Sequence, residues 1–303
     1  MNIAIVGAGG VGGYIGGRLA QAGNAVAFLA RGAHLRAIRA RGLRVEALGG
    51  GFVVAPADAT DDPAEIGPVD FALVCVKAYD LPAALEQMRP LVGPATTVLT
   101  LQNGVEAPDQ AAAAFGAAVL PGLVYSEVSV REPGVIVQGS ALQRVVLGER
   151  DGTRSPRVLA LAAALADAGI DTIASENVLG ALWGKFCFIC AMGGCTALAR
   201  RPLGALLADA EARALLHDVM AEVRALALAR GVRFDADPVA AAMATAERFP
   251  YDAKSSMLRD LERGAQLEIE ALNGAVVRLG RAAGVATPAN QAIYAVLRLH
   301  QPG

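Results

Sequence analysis

The chain is poor in charged and aromatic residues. Charged side chains make up 18% of its 303 residues and aromatic side chains 5%, while 54% are hydrophobic and the net charge is −2. So small a net charge creates no broad field that would attract nucleic acid or an anionic membrane, and no basic stripe with interleaved aromatics is present. We therefore do not expect nucleic acid as a partner. The composition indicates a globular protein with ample core and, from its length, about two domains.

Cysteine and histidine are also scarce, with four and three residues. Cys187 and Cys190 have the spacing of a metal or redox pair, but they lie in an apolar helical run with no histidine nearby to complete a metal site. We expect all four thiols, Cys75 and Cys195 included, to be buried and inert rather than metal ligands.

The apolar run at residues 178–198 is long enough to suggest a membrane span. Lys185 stands near its middle and a Gly193-Gly194 pair follows, which favours a helix buried in a protein core. The N-terminal region also lacks the basic segment and apolar stretch of a secretory signal. We therefore expect a cytoplasmic protein without a membrane partner.

Glycine, by contrast, is abundant, and its arrangement near the start is informative. Residues 2–6 have the pattern of an apolar strand, and Gly7, Gly9 and Gly12 follow in a G-x-G-x-x-G run that opens a helix. In a dinucleotide-binding unit the first glycine allows a tight turn, the second lets a pyrophosphate approach the backbone, and the third lets the helix pack on the strand. A glycine-rich turn without a ligand is the alternative. We predict that a cofactor contacts Gly7, Gly9, Gly10, Val11 and Gly12.

The residue after the second strand predicts which nucleotide is bound. An NAD-dependent enzyme places Asp or Glu there for the ribose 2′-hydroxyl, whereas this chain has Arg31. A guanidinium suits a 2′-phosphate, so we predict NADP(H) over NAD(H). Arg36 and Arg39, further along, fit a solvated helix face better.

The first half alternates strands and helices, as expected of a parallel sheet with helices on its faces. Beyond the first two strands, the pattern predicts strands at 69–76, 96–101 and 171–174, a hairpin around 49–51, and short strands between 119 and 148 with turns at 132–134 and 139–140. Lys77 and Asn103 follow two of these strands. Because ligands bind at the carboxyl ends of such strands, we assign both residues to the site.

After residue 176 the pattern predicts only helices, at 178–198, 209–230, 238–248, 267–283 and 289–299. We predict a Rossmann-type α/β dinucleotide-binding domain at residues 1–175 and an all-α domain for substrate binding and dimerisation at 176–303, with the cleft between them as the default active site. A polar loop is predicted at 251–257. Glu268 and Glu270 begin a predicted helix, where favourable charge at a helix N-terminus is the simpler interpretation.

Seven motifs, in this order, make nearly the whole chain resemble the ketopantoate reductase family. They are the glycine run, the strand-end Arg31, Val76-Lys77-Ala78, Gln102-Asn103-Gly104, Trp183-x-Lys185, Ser255-Ser256-Met257-Leu258-x-Asp260 and Glu268-Ile-Glu270-x-Leu-Asn273-Gly274. The resemblance implies NADPH-dependent reduction of a 2-oxo acid, in ketopantoate's case to pantoate on the route to pantothenate. It implies Lys185 as the general acid and Glu268 as the carboxylate that orients its ammonium and hydrogen-bonds the substrate. Ser256 would bind the substrate carboxylate, and Asn103 and Lys77 would hold nicotinamide and substrate in line.

One departure from the family pattern lies on the helix of Lys185. The family usually has asparagines four and eight residues after the lysine, and this chain has Ile189 and Gly193 there. Residues at this spacing share one helix face, which is therefore apolar and roomier than usual. The chemistry is expected to survive, but the identity of the 2-oxo acid is open, with a bulkier or less polar acid as an alternative. A dehydrogenase working in the oxidative direction and a non-catalytic NADP(H) sensor also stay open.

Overall fold

A computed structural model describes residues 1–300, and backbone contacts divide them into two compact units. The first unit comprises Met1–Gln102 and Ala107–Val178, and the second comprises Asn103–Glu106 and the chain from Leu179 onward. The first is α/β and the second is helical, which confirms the predicted fold class. The exact boundary between residues 175 and 176 stays a prediction.

The first unit is built on one ten-stranded sheet. The strands are β1 (Asn2–Val6), β2 (Ala25–Leu29), β3 (Leu43–Glu46), β4 (Phe52–Val54), β5 (Asp58–Thr60), β6 (Phe71–Val74), β7 (Thr97–Thr100), β8 (Val119–Glu132), β9 (Val135–Leu147) and β10 (Asp171–Ala174). Their order is β4-β3-β9-β8-β7-β6-β1-β2-β5, and β10 pairs with β9. The antiparallel pairing of β3 with β4 confirms the predicted hairpin.

Five helices belong to this unit. They are α1 (Gly10–Gln21), α2 (Gly32–Arg41), α3 (Leu81–Gln87), α4 (Ala107–Phe115) and α5 (Pro156–Asp167). The sheet separates two hydrophobic cores, and alternate residues of β1 supply them: Ile3 and Ile5 enter one, while Ala4 and Val6 enter the other. This alternation explains why β1 is apolar at every position from Ile3 to Val6, since both faces of the strand are covered there.

The strand order sets the position of the predicted cofactor residues. β1 lies between β2 and β6 and pairs in parallel with both. The carboxyl ends of the three strands therefore lie at the same edge of the sheet, and Gly7, Arg31 and Lys77 follow them there. This is the edge at which an open α/β sheet binds its ligand.

The second unit is formed by helices. They are α6 (Val178–Ala199), α7 (Leu203–Ala208), α8 (Ala210–Ala229), α9 (Pro238–Ala246), α10 (Ser256–Glu262), α11 (Asn273–Ala283) and α12 (Pro288–Leu297). Several begin at a side chain that caps the helix: the carboxylate of Asp209 accepts the N–H of Ala212, and that of Asp237 accepts the N–H of Val239. The sequence pattern did not predict β5, α4 or α7.

Helix α6 is the long apolar helix of this unit. Within residues 1–300 it alone has the length and composition to cross a membrane, and 67% of its most apolar window is buried inside the protein. A core helix meets the same criterion. Cys187, Cys190 and Cys195 on this helix are buried and free, as predicted, and Cys75 is partly buried. Burial raises the pKa of Cys187 to about 12, so this thiol stays protonated.

The region from residue 119 to 147 differs from the prediction. Instead of several short strands, β8 and β9 form one long antiparallel ribbon that turns at Pro133-Gly134. Gly139 and Ser140, which were predicted to turn, lie inside β9 where the pairing shifts from Ser126–Gln143 to Val128–Gln138. The extra residues of β9 bulge out of the ladder, so the glycine here marks a β-bulge rather than a turn.

The predicted helix at 267–283 is wrong at its start. Glu268–Glu270 form a single 3₁₀ turn, Leu272 has φ −104° and ψ −103°, and α11 begins at Asn273. The buried amide of Asn273 donates to the carbonyl oxygen of Cys190 at 3.3 Å and to Asn290 Oδ1 at 2.9 Å. These tertiary hydrogen bonds favour a break in the helix before Asn273, and local helix propensity does not predict them.

Candidate active site

The glycine loop connects β1 to α1. Gly7 has φ +97°, a conformation that favours glycine, and a Cβ at Gly12 would collide with the carbonyl oxygen of Gly7. Gly9 differs, since a Cβ there would meet no atom within 4 Å among the described residues beyond its own stretch of backbone. A tight turn, a close helix–strand contact and an open backbone position are what a pyrophosphate cradle requires.

The first turn of α1 supplies hydrogen-bond donors beside this open position. The first helical bond runs from the N–H of Gly13 to the carbonyl oxygen of Gly9 at 2.7 Å. The N–H groups of Gly10, Val11 and Gly12 therefore have no acceptor within the helix. Such groups at a helix N-terminus bind anions, so these residues fit the pyrophosphate of a dinucleotide.

Arg31 and Lys77 carry the positive charges at this edge of the sheet. Arg31 is exposed, and its guanidinium lies 3.7 Å from the carboxylate of Asp80. Because both partners are solvent-exposed, the ion pair is weak and Arg31 can exchange it for a phosphate. Lys77 is also exposed and precedes a 3₁₀ turn at Ala78–Asp80.

Gln102 fixes the backbone that leads to Lys77. Its Nε2 donates to the carbonyl oxygens of Val74 at 2.9 Å and Val76 at 3.3 Å, at the end of β6. Gln102 is buried, and its Oε1 has no hydrogen-bond partner among residues 1–300. Gln102 belongs to one of the seven motifs, but its sequence context predicts no role for it.

The second unit brings three predicted residues together around Lys185. The ammonium of Lys185 donates to Asn103 Oδ1 at 2.8 Å. Lys185 and Glu268 are both buried, with 9% and 7% exposure. Burial lowers the pKa of Lys185 to about 8, and the negative charge of Glu268 acts in the opposite direction and raises it. An ammonium with this pKa is protonated at neutral pH and can give up its proton, as a general acid must.

The segment Asn103–Glu106 is held within the second unit by contacts on both sides of Val105. Gly104 has φ +102°, and a Cβ there would lie 2.8 Å from the carbonyl oxygen of Ala271, so only glycine fits. Glu106 pairs with Arg278 at 2.9 Å, and Arg278 also pairs with Glu270 at 3.1 Å. Glu270 therefore pairs with Arg278, whereas the charge of Glu268 acts on Lys185.

Ser256 begins α10, whereas a polar loop was predicted through residue 257. The buried hydroxyl of Ser255 explains the helix start, since it accepts the N–H of Leu258 at 3.0 Å. The Thr196 hydroxyl donates to the carbonyl oxygen of Met192, so Ser255 must be the donor in its 2.7 Å hydrogen bond to Thr196. Ser255 is thus fully engaged in the fold. Ser256 is exposed and is the serine that a ligand can reach.

The face of α6 beyond Lys185 is apolar, as its sequence predicts. Ile189 is half-buried, and a Cβ at Gly193 would lie 3.6 Å from Met257 Cε and 3.7 Å from Leu272 Cδ1. These are ordinary van der Waals distances, so a side chain can begin at Gly193 without displacing its neighbours. Of the predicted site residues, Asn103 and Glu268 interact with Lys185 in the second unit, and the glycine loop, Arg31 and Lys77 lie at the sheet edge of the first. Ser256 lies at the start of α10 in the second unit, and its place in the site stays a prediction.

Comparison with known proteins decides the family. The family model described as "Ketopantoate reductase PanE/ApbA" matches residues 3–152, and "Ketopantoate reductase PanE/ApbA C terminal" matches residues 177–301. The chain belongs to the ketopantoate reductase family. The resemblance inferred from the seven motifs is thereby confirmed.

Relatives in this family match nearly the whole chain. The 2-dehydropantoate 2-reductase of Mesorhizobium japonicum is 36% identical over 98% of this chain and 97% of that protein. An uncharacterized oxidoreductase of Bacillus subtilis, YkpB, is 33% identical over 99% of both chains. The crystal structure of a PanE/ApbA family ketopantoate reductase from Ralstonia eutropha JMP134 has a TM-score of 0.91 and 37% identity, covering 99% of this chain and 98% of that one. The protein is a dinucleotide-binding oxidoreductase of the ketopantoate reductase family.

Proposed function

We propose that the protein reduces 2-dehydropantoate (ketopantoate) to pantoate with NADPH, a step of pantothenate biosynthesis. The observation that carries this proposal is the buried ammonium of Lys185, which is held by Asn103 and kept protonated by the charge of Glu268. A protein that only senses a nucleotide has no need of such a proton donor. Relatives named 2-dehydropantoate 2-reductase support the choice of substrate.

The proposed mechanism assigns one task to each residue. NADPH, when bound, supplies the hydride for the carbonyl carbon. As that carbon is reduced, negative charge develops on the carbonyl oxygen, and the Lys185 ammonium stabilises it and then donates a proton from Nζ. Asn103 directs the ammonium, and Glu268 raises its pKa. Ser256 binds the substrate carboxylate, and Lys77 assists in holding nicotinamide and substrate.

The preference for NADP(H) rests on Arg31. Gly9, Gly10, Val11 and Gly12 would hold the pyrophosphate, and the exposed guanidinium of Arg31 would bind the 2′-phosphate after leaving Asp80. A cytoplasmic location and a homodimer remain predictions from the sequence.

A second candidate is the same reaction on a less polar 2-oxo acid. The observation that favours it is the apolar face of Ile189 and Gly193, with Met257 and Leu272 as the nearest neighbours of Gly193. Ketopantoate carries a terminal hydroxyl, and an α6 face without amide donors gains little from that hydroxyl. The oxidative direction on the corresponding 2-hydroxy acid would use the same residues.

NADPH oxidation in the presence of ketopantoate and a panel of less polar 2-oxo acids tests these candidates. Turnover of ketopantoate that is lost in Lys185→Ala supports the first. Turnover of the less polar acids but not of ketopantoate supports the second candidate and leaves the proposed mechanism unchanged. If no acid is turned over while NADPH still binds, the protein would instead be a non-catalytic nucleotide sensor.

A further inference from the structure

His34 makes two hydrogen bonds that connect the glycine loop to the turn of the β8–β9 ribbon. Its Nε2 lies 2.8 Å from the carbonyl oxygen of Ala8, and its Nδ1 lies 3.0 Å from the backbone nitrogen of Gly134. A backbone N–H can only donate, so Nδ1 is the acceptor and carries no proton. The tautomer with the proton on Nε2 then donates to Ala8.

The hydrogen bond from His34 to Ala8 orients the Ala8–Gly9 peptide group of the glycine loop. The N–H of Ala8 is directed to the carbonyl oxygen of Leu29 at 3.1 Å, and its carbonyl is held by His34. Because the peptide between Ala8 and Gly9 is trans, the N–H of Gly9 points away from that carbonyl. By holding the carbonyl oxygen of Ala8, His34 therefore fixes the direction in which the N–H of Gly9 points.

Helix α2, which carries His34, contacts the turn of the β8–β9 ribbon at two further places. These contacts hold the position of His34. The guanidinium of Arg41, at the end of α2, lies 3.5 Å from the carbonyl oxygen of Pro133. A Cβ at Gly134 would lie 3.0 Å from the Cβ of Ala37, so the turn approaches the helix closely. His34 stands in the first turn of α2, three residues after Arg31, and extends this contact to the glycine loop.

We propose that His34 is a positioning residue for the dinucleotide, holding the Ala8–Gly9 peptide in the orientation that binds the pyrophosphate. The inference rests on the proposed cofactor site and is independent of the substrate. The pyrophosphate is common to NADPH and NADH, so loss of this support weakens both nucleotides alike. An effect transmitted through Arg31 would weaken NADPH alone.

Two substitutions separate the two hydrogen bonds of His34. In His34→Gln the side-chain nitrogen can take the place of Nε2 and keep the donor to Ala8. In His34→Asn the side-chain oxygen can take the place of Nδ1 and keep only the acceptor for Gly134. Each variant loses one neutral hydrogen bond, so a purely structural role predicts similar losses of Tm and similar binding.

Calorimetric titration of each variant with NADPH and NADH, together with its Tm, tests the proposal. We expect His34→Asn to weaken both nucleotides about three- to tenfold, and His34→Gln to stay within about twofold of wild type. If a variant is too unstable to titrate, the rise of its Tm on adding nucleotide reports the same affinity.

The proposal is overturned if His34→Asn binds as wild type does, if His34→Gln loses as much affinity as His34→Asn, or if the loss is confined to NADPH. Wild-type protein that binds neither nucleotide would overturn the proposed cofactor site as well.

Discussion

The Nζ atom of Lys185 donates to Oδ1 of Asn103 at 2.8 Å, which joins helix α6 to a residue 82 positions earlier in the chain. Asn103 is a neutral acceptor, whereas Glu268 acts on the same ammonium through its charge. Asn103 therefore gives the ammonium a fixed acceptor, and Glu268 raises its proton affinity. Substitutions can separate the two effects.

Substitution of Asn103 tests control of direction. In Asn103→Ala the ammonium loses the acceptor Oδ1 of Asn103, and we expect kcat to fall by about tenfold, the cost of about one charge-assisted hydrogen bond. In Asn103→Asp the added negative charge raises the pKa of Lys185, so the alkaline limb of the pH profile moves to higher pH. Profiles of kcat/KM for the two variants measure both effects, and identical limbs in wild type and Asn103→Asp would contradict the assignment.

The pH dependence of reduction tests Lys185 as the proton donor. Its pKa is about 8, and only the protonated form donates, so we expect kcat/KM for reduction to fall as the pH rises through about 8. Glu268 raises this pKa, so Glu268→Gln lowers it and moves the limb to lower pH. Lys185→Ala should lower kcat by about 10²- to 10⁴-fold and leave NADPH affinity unchanged. An alkaline limb at the same pH in Glu268→Gln and wild type would show that Glu268 does not raise the pKa of Lys185.

Gly9 and Gly12 form a matched pair of sites for alanine substitution. Gly9 has φ −65° and open space at its Cβ position, so Gly9→Ala should keep the Tm and weaken NADPH binding by obstructing the pyrophosphate. In Gly12→Ala the new methyl group collides with the Gly7 carbonyl, and we expect a loss of about 1–3 kcal/mol in the free energy of unfolding. Thermal melts and nucleotide titrations distinguish the two. Full NADPH affinity in Gly9→Ala would show that the cradle is not where the pyrophosphate binds.

The glycine loop and the long apolar strands could be predicted from the sequence because their signals are local. Gly7 has a positive φ, and Gly12 packs against the carbonyl oxygen of Gly7, five residues earlier. Other residues had no role that the sequence could predict, because they form hydrogen bonds with partners far away in the chain. Gln102 bonds to the end of β6, and Thr196 bonds to Ser255, 59 residues away.

Two errors have the same origin. The helix predicted from Leu267 breaks before Asn273, whose amide bonds to groups on α6 and α12. Gly139 was predicted to turn and instead lies in a bulge, because the pairing with β8 continues on both sides of it. In both places long-range hydrogen bonding outweighs local preference.

Substitution of Arg31 tests the choice of nucleotide. Removal of the guanidinium in Arg31→Ala should weaken NADPH about ten- to hundredfold, the value of hydrogen bonds to a charged group, and leave NADH unchanged. Asp80→Asn is the control, since it removes the carboxylate that competes for Arg31 and should keep or improve NADPH binding. Equal weakening of both nucleotides in Arg31→Ala would contradict recognition of the 2′-phosphate.

Restoring amides to α6 tests the alternative substrate. Gly193→Asn introduces a Cβ at van der Waals distance from Met257 and Leu272, so the fold should tolerate it. We expect Ile189→Asn and Gly193→Asn to raise kcat/KM for ketopantoate relative to a less polar 2-oxo acid, because each adds a donor for a substrate hydroxyl. Competition assays with the two acids measure the ratio. A ratio that does not change would exclude this face from substrate selection.

The most direct measurement of the central claim follows the fate of the hydride. NADPH labelled with deuterium at the reactive C4 position is incubated with ketopantoate and the enzyme, and the product is examined by mass spectrometry and NMR. Our account predicts pantoate with deuterium at C2, formed by wild type and nearly absent with Lys185→Ala. Unlabelled product, or equal product from Lys185→Ala, would contradict it.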